Sequence, residues 1–411
     1  MNEFQIPSDL GRIPGKIYSG EGFANFTADQ WRLFFNIYAT VALWDHLSVV
    51  DRKILTHYVR ICSILVSRIV ETAFMNEAHQ RLVEVIKLIE NHYGRDMITP
   101  NLHLSLHLCE CAHDFGPLYA FWCFSFERMN GSFPNSHRKI EPEIMRRLMN
   151  DNQIANLISS GIEIKGLDLL DNTTVVGSLP ETDKFSLDEM RRYLLYSQDI
   201  RQSLITGQEP FPDEMLRPST ENIVLSDDML DRMVEYYNAT YEMYNFRKPF
   251  GEGPEGSIVI NVKMNKYGRC RIGSEIFGSS MSSRHVNSSF ILAKFVTSDG
   301  EVDCYPGQIQ YFFKHTINLQ NQSAEHFLAY VRWYQHVASS DVRYYFSSDD
   351  ENETCTVELW RSEFYHESRD CIIPVHHILG RFIPVKYKIS DRRNAVEYLA
   401  INPINRKYHI K

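Results

Sequence analysis

The sequence predicts an α+β protein, with a helical N-terminal region followed by a small β-rich, barrel-like domain. Apolar residues recur at helical spacing through the first part of the chain, up to about residue 158. The composition then changes at segment 245–257, NFRKPFGEGPEGS. Beyond it, short β-type runs separated by turn residues predominate, which favours a barrel or a sandwich. We therefore expect a helical domain at 1–158, a helical connector at 159–250 and a β-rich domain at 251–411.

Start and stop signals define the first predicted helices. Thr27 and Gln30 form a capping box at the start of the first one. An apolar stripe over 54–69 indicates the second. The third is expected over 76–92 and should end at Gly94, which can adopt a left-handed conformation.

Further helices are predicted from the same kinds of signal. Pro100 begins a helix that carries His103, and the pair Gly116-Pro117 ends it and begins the next. Ser226 begins the last helix before the compositional boundary, with acidic residues in its first turn.

Six runs in the C-terminal region have the residue types and lengths of strands. They are SIVINVKM (257–264), SSFILAKFV (288–296), FLAYVRWY (327–334), VRYYFS (342–347), CTVELW (355–360) and CIIPVHHI (371–378).

Composition limits the possible functions. The chain has 411 residues with a formal net charge of -9, so it lacks the overall basic character of many nucleic-acid-binding proteins. No run of eighteen apolar residues occurs, and 1–15 does not resemble a signal peptide, so we expect no membrane partner. The eight cysteines are scattered, which favours reduced thiols inside the cell.

Glu127 is a candidate functional residue because it lies in an almost wholly apolar predicted helix. An ionised carboxylate among Phe, Trp and Cys is costly to desolvate unless a cation or a metal compensates its charge. A structural alternative is an ion pair with an arginine of the next helix, such as Arg138, Arg146 or Arg147.

His103, His107 and Cys111 are spaced four residues apart, so a continuous helix would place them along one face. Imidazole and thiolate are the usual zinc ligands, and this set would supply an incomplete zinc site. The alternative is that these side chains are ordinary polar residues bonded to nearby groups.

The run 6–147 resembles the C-terminal part of transposases of the CACTA (En/Spm) type, in versions abundant in fungal genomes. The matching blocks, in order, are IPSDLGRIPGKI (6–17), FTADQWR (26–32), TPNLHLSLHL (99–108), FGPLYAFWCFSFERMNG (115–131) and NSHRKIEPEIMRRLM (135–149). The resemblance implies an RNase H-like core in which two aspartates and a late glutamate hold two divalent metal ions. In this chain the late glutamate corresponds to Glu127. His103 and His107 correspond to a histidine pair that completes a zinc site with cysteines from upstream.

The chain departs from this pattern at its N-terminus. In the family, both aspartates and the cysteine pair precede the first matching block, which here begins at Ile6. The four early aspartates lie in or beside predicted loops and helices and are not expected to replace them: Asp9, Asp29, Asp45 and Asp51. We therefore expect a truncated or domesticated transposase remnant without strand-transfer activity, which would use Mg²⁺ only if upstream aspartates were supplied.

The region 285–411 resembles the ends of the same fungal transposon proteins, with a layout similar to a BAH-like chromatin barrel. Five aromatic residues of such a barrel could form a cage for a methylated lysine: Tyr305, Tyr330, Trp333, Tyr334 and Trp360. The favoured alternative is that these rings pack in the core or across strands.

Local basic clusters are the candidate DNA contacts. The first comprises Arg138, Lys139, Arg146 and Arg147. The second comprises Lys386, Lys388, Arg392, Arg393, Arg406 and Lys407. Such residues can contact phosphates, although a solvated protein surface explains them nearly as well.

Three hypotheses about function follow. The first is a nuclear, transposon-derived protein that binds DNA weakly or depends on an intact transposase. The second is a chromatin or protein-interaction module that acts through its β-rich region. The third is a degraded gene product without a selected function.

Overall fold

A computed structural model describes twelve parts of the chain. They are 4–8, 10, 26–66, 71–118, 205–209, 214–241, 243–272, 275–296, 302–319, 322–347, 357–389 and 396–404. All of them belong to one compact unit, Met1–Leu118 with Tyr193–Lys411. The second unit, Tyr119–Arg192, lies outside the described residues.

The first N-terminal helix begins where the sequence predicts, whereas the second and third begin about four or five residues earlier than their predicted segments. Helix α1 spans Ala28–Leu33 and has the Thr27–Gln30 capping box. It continues through a π-helical turn, Phe34–Tyr38, into α2, Ala39–Leu43, and a 3₁₀ turn, Trp44–His46. The first predicted helix is therefore several helical segments of different pitch.

The next helices form an antiparallel pair. Helix α3 spans Val49–Leu65 and α4 spans Thr72–Tyr93, which ends at Gly94 with φ 93° as expected from its position. Their facing apolar side chains, with those of the following helices, form a small core that includes Ile61, Leu82 and Cys109.

The predicted helix after Pro100 is divided into three segments. These are α5, Pro100–Leu104, a 3₁₀ turn, Ser105–His107, and α6, Leu108–Phe115. The helix ends at Gly116 with φ 83°, as predicted.

The C-terminal region contains twelve described strands and two described helices. The strands are β1 Glu214–Val224, β2 Phe246–Arg247, β3 Ile258–Val259, β4 Lys263–Ile272, β5 Glu275–Phe277, β6 Phe290–Val296, β7 Val302–Leu319, β8 Gln322–Trp333, β9 Glu358–Arg361, β10 Ile372–Pro374, β11 Ile378–Lys388 and β12 Glu397–Ile404. The helices are α7 Asp227–Thr240, capped by Ser226 as predicted, and α8 Ser340–Arg343.

Ten of these strands form one antiparallel sheet in the order β1-β4-β7-β6-β11-β12-β9. Strand β5 also pairs with β4, and β8 lies between β7 and β10. Strand β7 is 18 residues long; its first part pairs with β6 and its second part with β4, while β8 follows its other edge. The fold class α+β is therefore confirmed for the described residues.

The expected barrel-like closure is wrong, because the described strands form an open sheet with β1 and β9 at its ends. Helices, rather than a second layer of strands, cover apolar parts of this sheet. Helix α7 packs through Met233 and Tyr237 against residues such as Phe313 and Leu328. The RNase H-like fold of the N-terminal region remains a prediction.

The N-terminal helices share a core with the sheet. Leu33, Phe34 and Trp44 belong to the same cluster of buried residues as Ile383 of β11 and Ala400 of β12. The three-region division remains a prediction, but α1–α3 and the C-terminal strands bury their side chains together.

Asn402 strengthens this junction by donating a hydrogen bond to the carbonyl oxygen of Ile37, 2.6 Å away, in the π-helical turn. The side chain of Asn402 is buried, so this hydrogen bond satisfies a polar group that is costly to leave unpaired.

Several elements differ from the sequence prediction, among them strands β7 and β12, which none of the six predicted runs covers. Segment 342–347 is not a strand; it comprises the end of α8 and a turn, which places Phe346 in the core. Strand β1 lies within the region that was predicted as a helical connector. Its Pro218 and its exposed polar residues are not typical of a strand, so the sequence pattern did not indicate one. Pro218 is tolerated because β1 is an edge strand of the described sheet.

Candidate functional site

The predicted histidine pair lies on the surface of α5 and the following 3₁₀ turn. The ring centroids of His103 and His107 are 5.9 Å apart, and both residues are exposed. The Nδ1 atom of His107 contacts the Oε2 atom of Glu110 at 2.8 Å. Only the Nε2 atom of His107 is then left for a metal ion, and a metal-bound imidazole can keep such a carboxylate contact through its other nitrogen.

Cys111 belongs to α6, beyond the 3₁₀ turn, and is half-buried as a free thiol. The change of pitch at residues 105–107 breaks the continuous helix on which the predicted common face depends. Within the described parts of the chain, no group of three or more His, Cys, Asp or Glu residues is placed to hold a metal ion. The zinc site remains a prediction.

Several predicted site residues lie outside the described residues: Glu127, Arg138, Lys139, Arg146, Arg147, Arg392, Arg393, Arg406 and Lys407. Of the second basic cluster, Lys386 and Lys388 are described. Their ammonium groups lie 2.9 Å and 3.8 Å from carboxylate oxygens of Glu397, so part of their charge is compensated.

The early aspartates that the structure describes have partners in the fold. Asp29 forms an ion pair with Arg32, with 2.6 Å between the charged atoms. Asp51 accepts hydrogen bonds from the hydroxyl groups of Ser48 and Tyr93. These hydrogen bonds hold the pKa of Asp51 below its usual range, with the Tyr93 hydroxyl as the largest cause.

Asp45 accepts hydrogen bonds from two tyrosine hydroxyls, those of Tyr345 at 3.0 Å and Tyr387 at 2.7 Å. It thereby connects the 3₁₀ turn after α2 to the C-terminal region. Asp9, the remaining early aspartate, lies outside the described residues.

The five aromatic residues of the suggested methyl-lysine cage are divided between different parts of the core. Tyr330 and Trp333 belong to the cluster beneath α7, whereas Tyr334 and Trp360 belong to a separate cluster. All four are buried, and the indole nitrogen of Trp333 donates to the carbonyl oxygen of Asp370 at 2.7 Å. The core-packing alternative is confirmed for these four residues.

Tyr305, the fifth, packs against Trp360 and His336, with ring centroids 5.6 Å and 4.8 Å away. His336 and Trp360 are themselves stacked at 4.2 Å. Rings in direct van der Waals contact leave no space between them for a methylated ammonium group.

Two tyrosine–histidine pairs lie between α7 and the sheet. The hydroxyl of Tyr237 is 2.7 Å from Nδ1 of His315, whose Nε2 donates to the carbonyl oxygen of Asn261 at 2.8 Å. The hydroxyl of Tyr241 is 2.7 Å from Nε2 of His326. His315 and His326 are direct partners on neighbouring strands β7 and β8.

Burial lowers the pKa of His315 and lowers the pKa of His326 to about 4, so both imidazoles are neutral near pH 7. His326 is fully buried and His315 nearly so. A ligand in solution cannot reach these rings, and we interpret both pairs as structural contacts that fix α7 on the sheet.

A second polar cluster is open to solvent, and sequence reasoning missed it. We call it the Glu367 clamp; it comprises Arg232, Tyr330, Arg332 and Glu367. Guanidinium nitrogens of Arg232 and Arg332 lie 2.9 Å and 3.0 Å from the two carboxylate oxygens of Glu367. The hydroxyl of Tyr330 donates to Glu367 at 2.7 Å and accepts from Arg232 at 3.1 Å.

The clamp continues along the sheet through stacked rings. Tyr311 stacks on Tyr330 with centroids 5.2 Å apart, and the ammonium group of Lys266 lies 3.8 Å from the centroid of Tyr311. Burial raises the pKa of Tyr311 to about 12 and lowers the pKa of Lys266. These tyrosines therefore stay protonated at neutral pH and act as hydrogen-bonding groups and cation-binding faces.

The clamp is assembled by α7, β8 and the segment after β9, which are distant in sequence. No local motif connects Arg232, Arg332 and Glu367, so sequence spacing gave no signal for it. The two guanidinium groups and the tyrosine hydroxyl are arranged to bind a carboxylate, and in this fold that carboxylate is the side chain of Glu367.

Family models, curated proteins and solved structures were compared with the chain, and none matches. Among the described residues, the helices lack the combination of length and hydrophobicity that crossing a bilayer needs.

Proposed function

We propose that the chain is a transposon-derived protein that binds DNA weakly and does not itself catalyse strand transfer. The five blocks that resemble CACTA-type transposases support the origin, because they occur in the family's order. Nuclear localisation and association with an intact transposase or chromatin are part of the same proposal.

The main support for the absence of catalysis is that the early aspartates form ion pairs or hydrogen bonds within the fold. Asp29, Asp45 and Asp51 are each engaged by a basic or hydroxyl side chain of the fold. Strand transfer by two metal ions requires several carboxylate oxygens that share the ions. Each of these three carboxylates serves as a local structural acceptor, which supports the proposal that they do not form a shared metal site.

Weak DNA binding is supported by the basic residues around Arg146 on a chain whose net charge is negative. A localised cationic patch can contact phosphates without making the whole protein basic. The partial neutralisation of Lys386 and Lys388 by Glu397 makes the first basic cluster the better candidate.

The direct experiment incubates the purified chain with Mg²⁺ or Mn²⁺ and labelled DNA that carries transposon terminal repeats. We expect a salt-sensitive complex and no cleaved product. Cleavage that disappears in Glu127→Gln but persists in the matched variant Glu84→Gln, which changes an exposed glutamate of α4, would overturn the non-catalytic assignment.

A second candidate function is protein interaction through the C-terminal region. The fully exposed Phe250, which lies between β2 and β3, is the specific observation that favours it. This function does not depend on DNA binding.

A further inference from the structure

The loop between β2 and β3 exposes an aromatic side chain completely. Phe250 has a relative exposure of 104%, higher than that of any other large hydrophobic residue in the described parts of the chain. Its backbone has φ 60°, a left-handed conformation that bulky L residues rarely adopt.

This conformation belongs to a tight turn. The backbone N–H of Gly251 donates to the carbonyl oxygen of Lys248 at 3.1 Å, with Pro249 and Phe250 as the central residues. Proline followed by a residue with positive φ is the arrangement of a type II turn, whose second central position strongly favours glycine or asparagine. Phenylalanine at this position has an unfavourable backbone, and its ring forms no core contact that would compensate.

The base of the loop is held by charged groups. The ammonium group of Lys248 lies 2.9 Å from Asp227 and 2.7 Å from Asp231, both on the first turns of α7. Arg247 donates to the carbonyl oxygen of Gly251 at 3.1 Å. The exposed ring is therefore presented from an anchored turn rather than from a long unsupported segment.

Most charged residues of this loop and of the first turns of α7 are acidic: Arg247 and Lys248 are outnumbered by Glu252, Glu255, Asp227, Asp228 and Asp231. Glu252 and Glu255 are exposed in the same loop, and Asp228 is exposed on α7. The charge of Lys248 is balanced by its two aspartate partners. A nucleic acid would be repelled by this surface, whereas a basic protein segment would be attracted.

We propose that Phe250 and the acidic residues around it form a docking site for a partner protein that presents a basic amphipathic segment. The phenyl ring would enter a gap between apolar side chains of the partner, and Glu252 and Glu255 would pair with its lysines or arginines. The inference rests on the second candidate function, that of protein interaction, and names the chemistry of its partner.

The test uses the full chain and two short synthetic helical peptides of equal charge, one of leucine and lysine and one of serine and lysine. Fluorescence anisotropy should detect binding of the leucine peptide, weakened by added salt, and much weaker binding of the serine peptide. Phe250→Gly should weaken binding of the leucine peptide by about tenfold or more, the loss typical of an aromatic anchor. The same variant should melt at an equal or higher temperature, because glycine suits the turn.

The matched control is Val49→Ala, which shortens an exposed apolar side chain at the start of α3 and should leave peptide binding unchanged. Equal binding of both peptides, equal loss in both variants, or wild-type affinity in Phe250→Gly would each overturn the proposal. DNA binding measured in parallel should not change in Phe250→Gly. The result for DNA therefore tests the first function separately.

Discussion

The hydroxyl group of Tyr387 donates a hydrogen bond to the carboxylate of Asp45, with 2.7 Å between the two oxygens. The two residues are separated by 342 positions in the sequence. Asp45 follows α2, whereas Tyr387 belongs to β11 and is buried in the core that both regions share. This hydrogen bond, with that from Tyr345, connects the beginning of the chain to its final strands.

Tyr387→Phe removes this hydrogen bond and keeps the ring. We expect the free energy of unfolding to fall by about 1 kcal/mol, since Asp45 can be partly rehydrated. Urea unfolding followed by both tryptophan fluorescence and circular dichroism should show one shifted transition. Two separate transitions, of which only one responds to the substitution, would mean that the helices and the sheet do not unfold together.

The buried histidines predict a loss of stability in mild acid. Burial lowers the pKa of His315 and of His326 below 6.5 in the folded state, so the unfolded chain binds more protons. Their contribution to stability is complete above about pH 6.5 and is lost as the pH falls toward 4. The urea midpoint should therefore be lower at pH 5 than at pH 7.

His326→Phe tests the origin of this pH dependence. The variant should be less stable at pH 7, because Tyr241 loses its 2.7 Å hydrogen bond with His326 and keeps only the longer one to Gln208. It should also lose less stability than the wild type between pH 7 and pH 5. His315 and His377 remain in the variant. Burial lowers the pKa of both, that of His377 to about 3, so they account for a residual dependence. A pH profile parallel to that of the wild type would contradict the assignment to His326.

Removing the carboxylate from the Glu367 clamp should weaken the fold. In Glu367→Gln, a neutral amide takes the place of the carboxylate that binds both arginines. The positive charges of Arg232 and Arg332 then repel each other more strongly. We expect a loss of about 1–2 kcal/mol in the free energy of unfolding, limited by the partial exposure of the clamp. Glu363→Gln, an exposed glutamate of the same segment, is the control and should have little effect. Equal stability of the two variants would show that the clamp contributes nothing.

The half zinc site predicts substoichiometric zinc in the purified chain. Two histidines and one cysteine leave an incomplete ligand shell. Elemental analysis after gel filtration should therefore find well below one zinc ion per chain. One tightly held ion, lost in His103→Ala and kept in His79→Ala, would require a ligand that the sequence interpretation did not include.

Local signals predicted several helix caps because each cap depends on neighbouring residues, whereas the starts of α3 and α4 were predicted four or five residues too late. The capping box of Thr27 and Gln30, the cap at Ser226 and the helix ends at Gly94 and Gly116 are all present. Short-range hydrogen bonds and positive φ angles determine these features, and the sequence encodes them within a few positions.

Long-range pairing could not be predicted in the same way. Strand β7 contains Pro306 and Gly307, which resemble the end of a strand, yet both residues pair with β6. Its 18-residue length depends on partners contributed by β4, β6 and β8. The Glu367 clamp was missed for the same reason, since its residues meet only after the sheet and α7 have packed.

The burial of sheet residues under α7 and under the first helices has a practical consequence for anyone who truncates the gene near codon 251. A fragment of residues 251–411 would lack β1, α7 and α1–α3. It would therefore expose the hydrophobic surfaces around Phe313 and Ile383 to water. We expect such a fragment to precipitate or to require detergent. Biochemical work on the C-terminal half should therefore begin from the whole polypeptide.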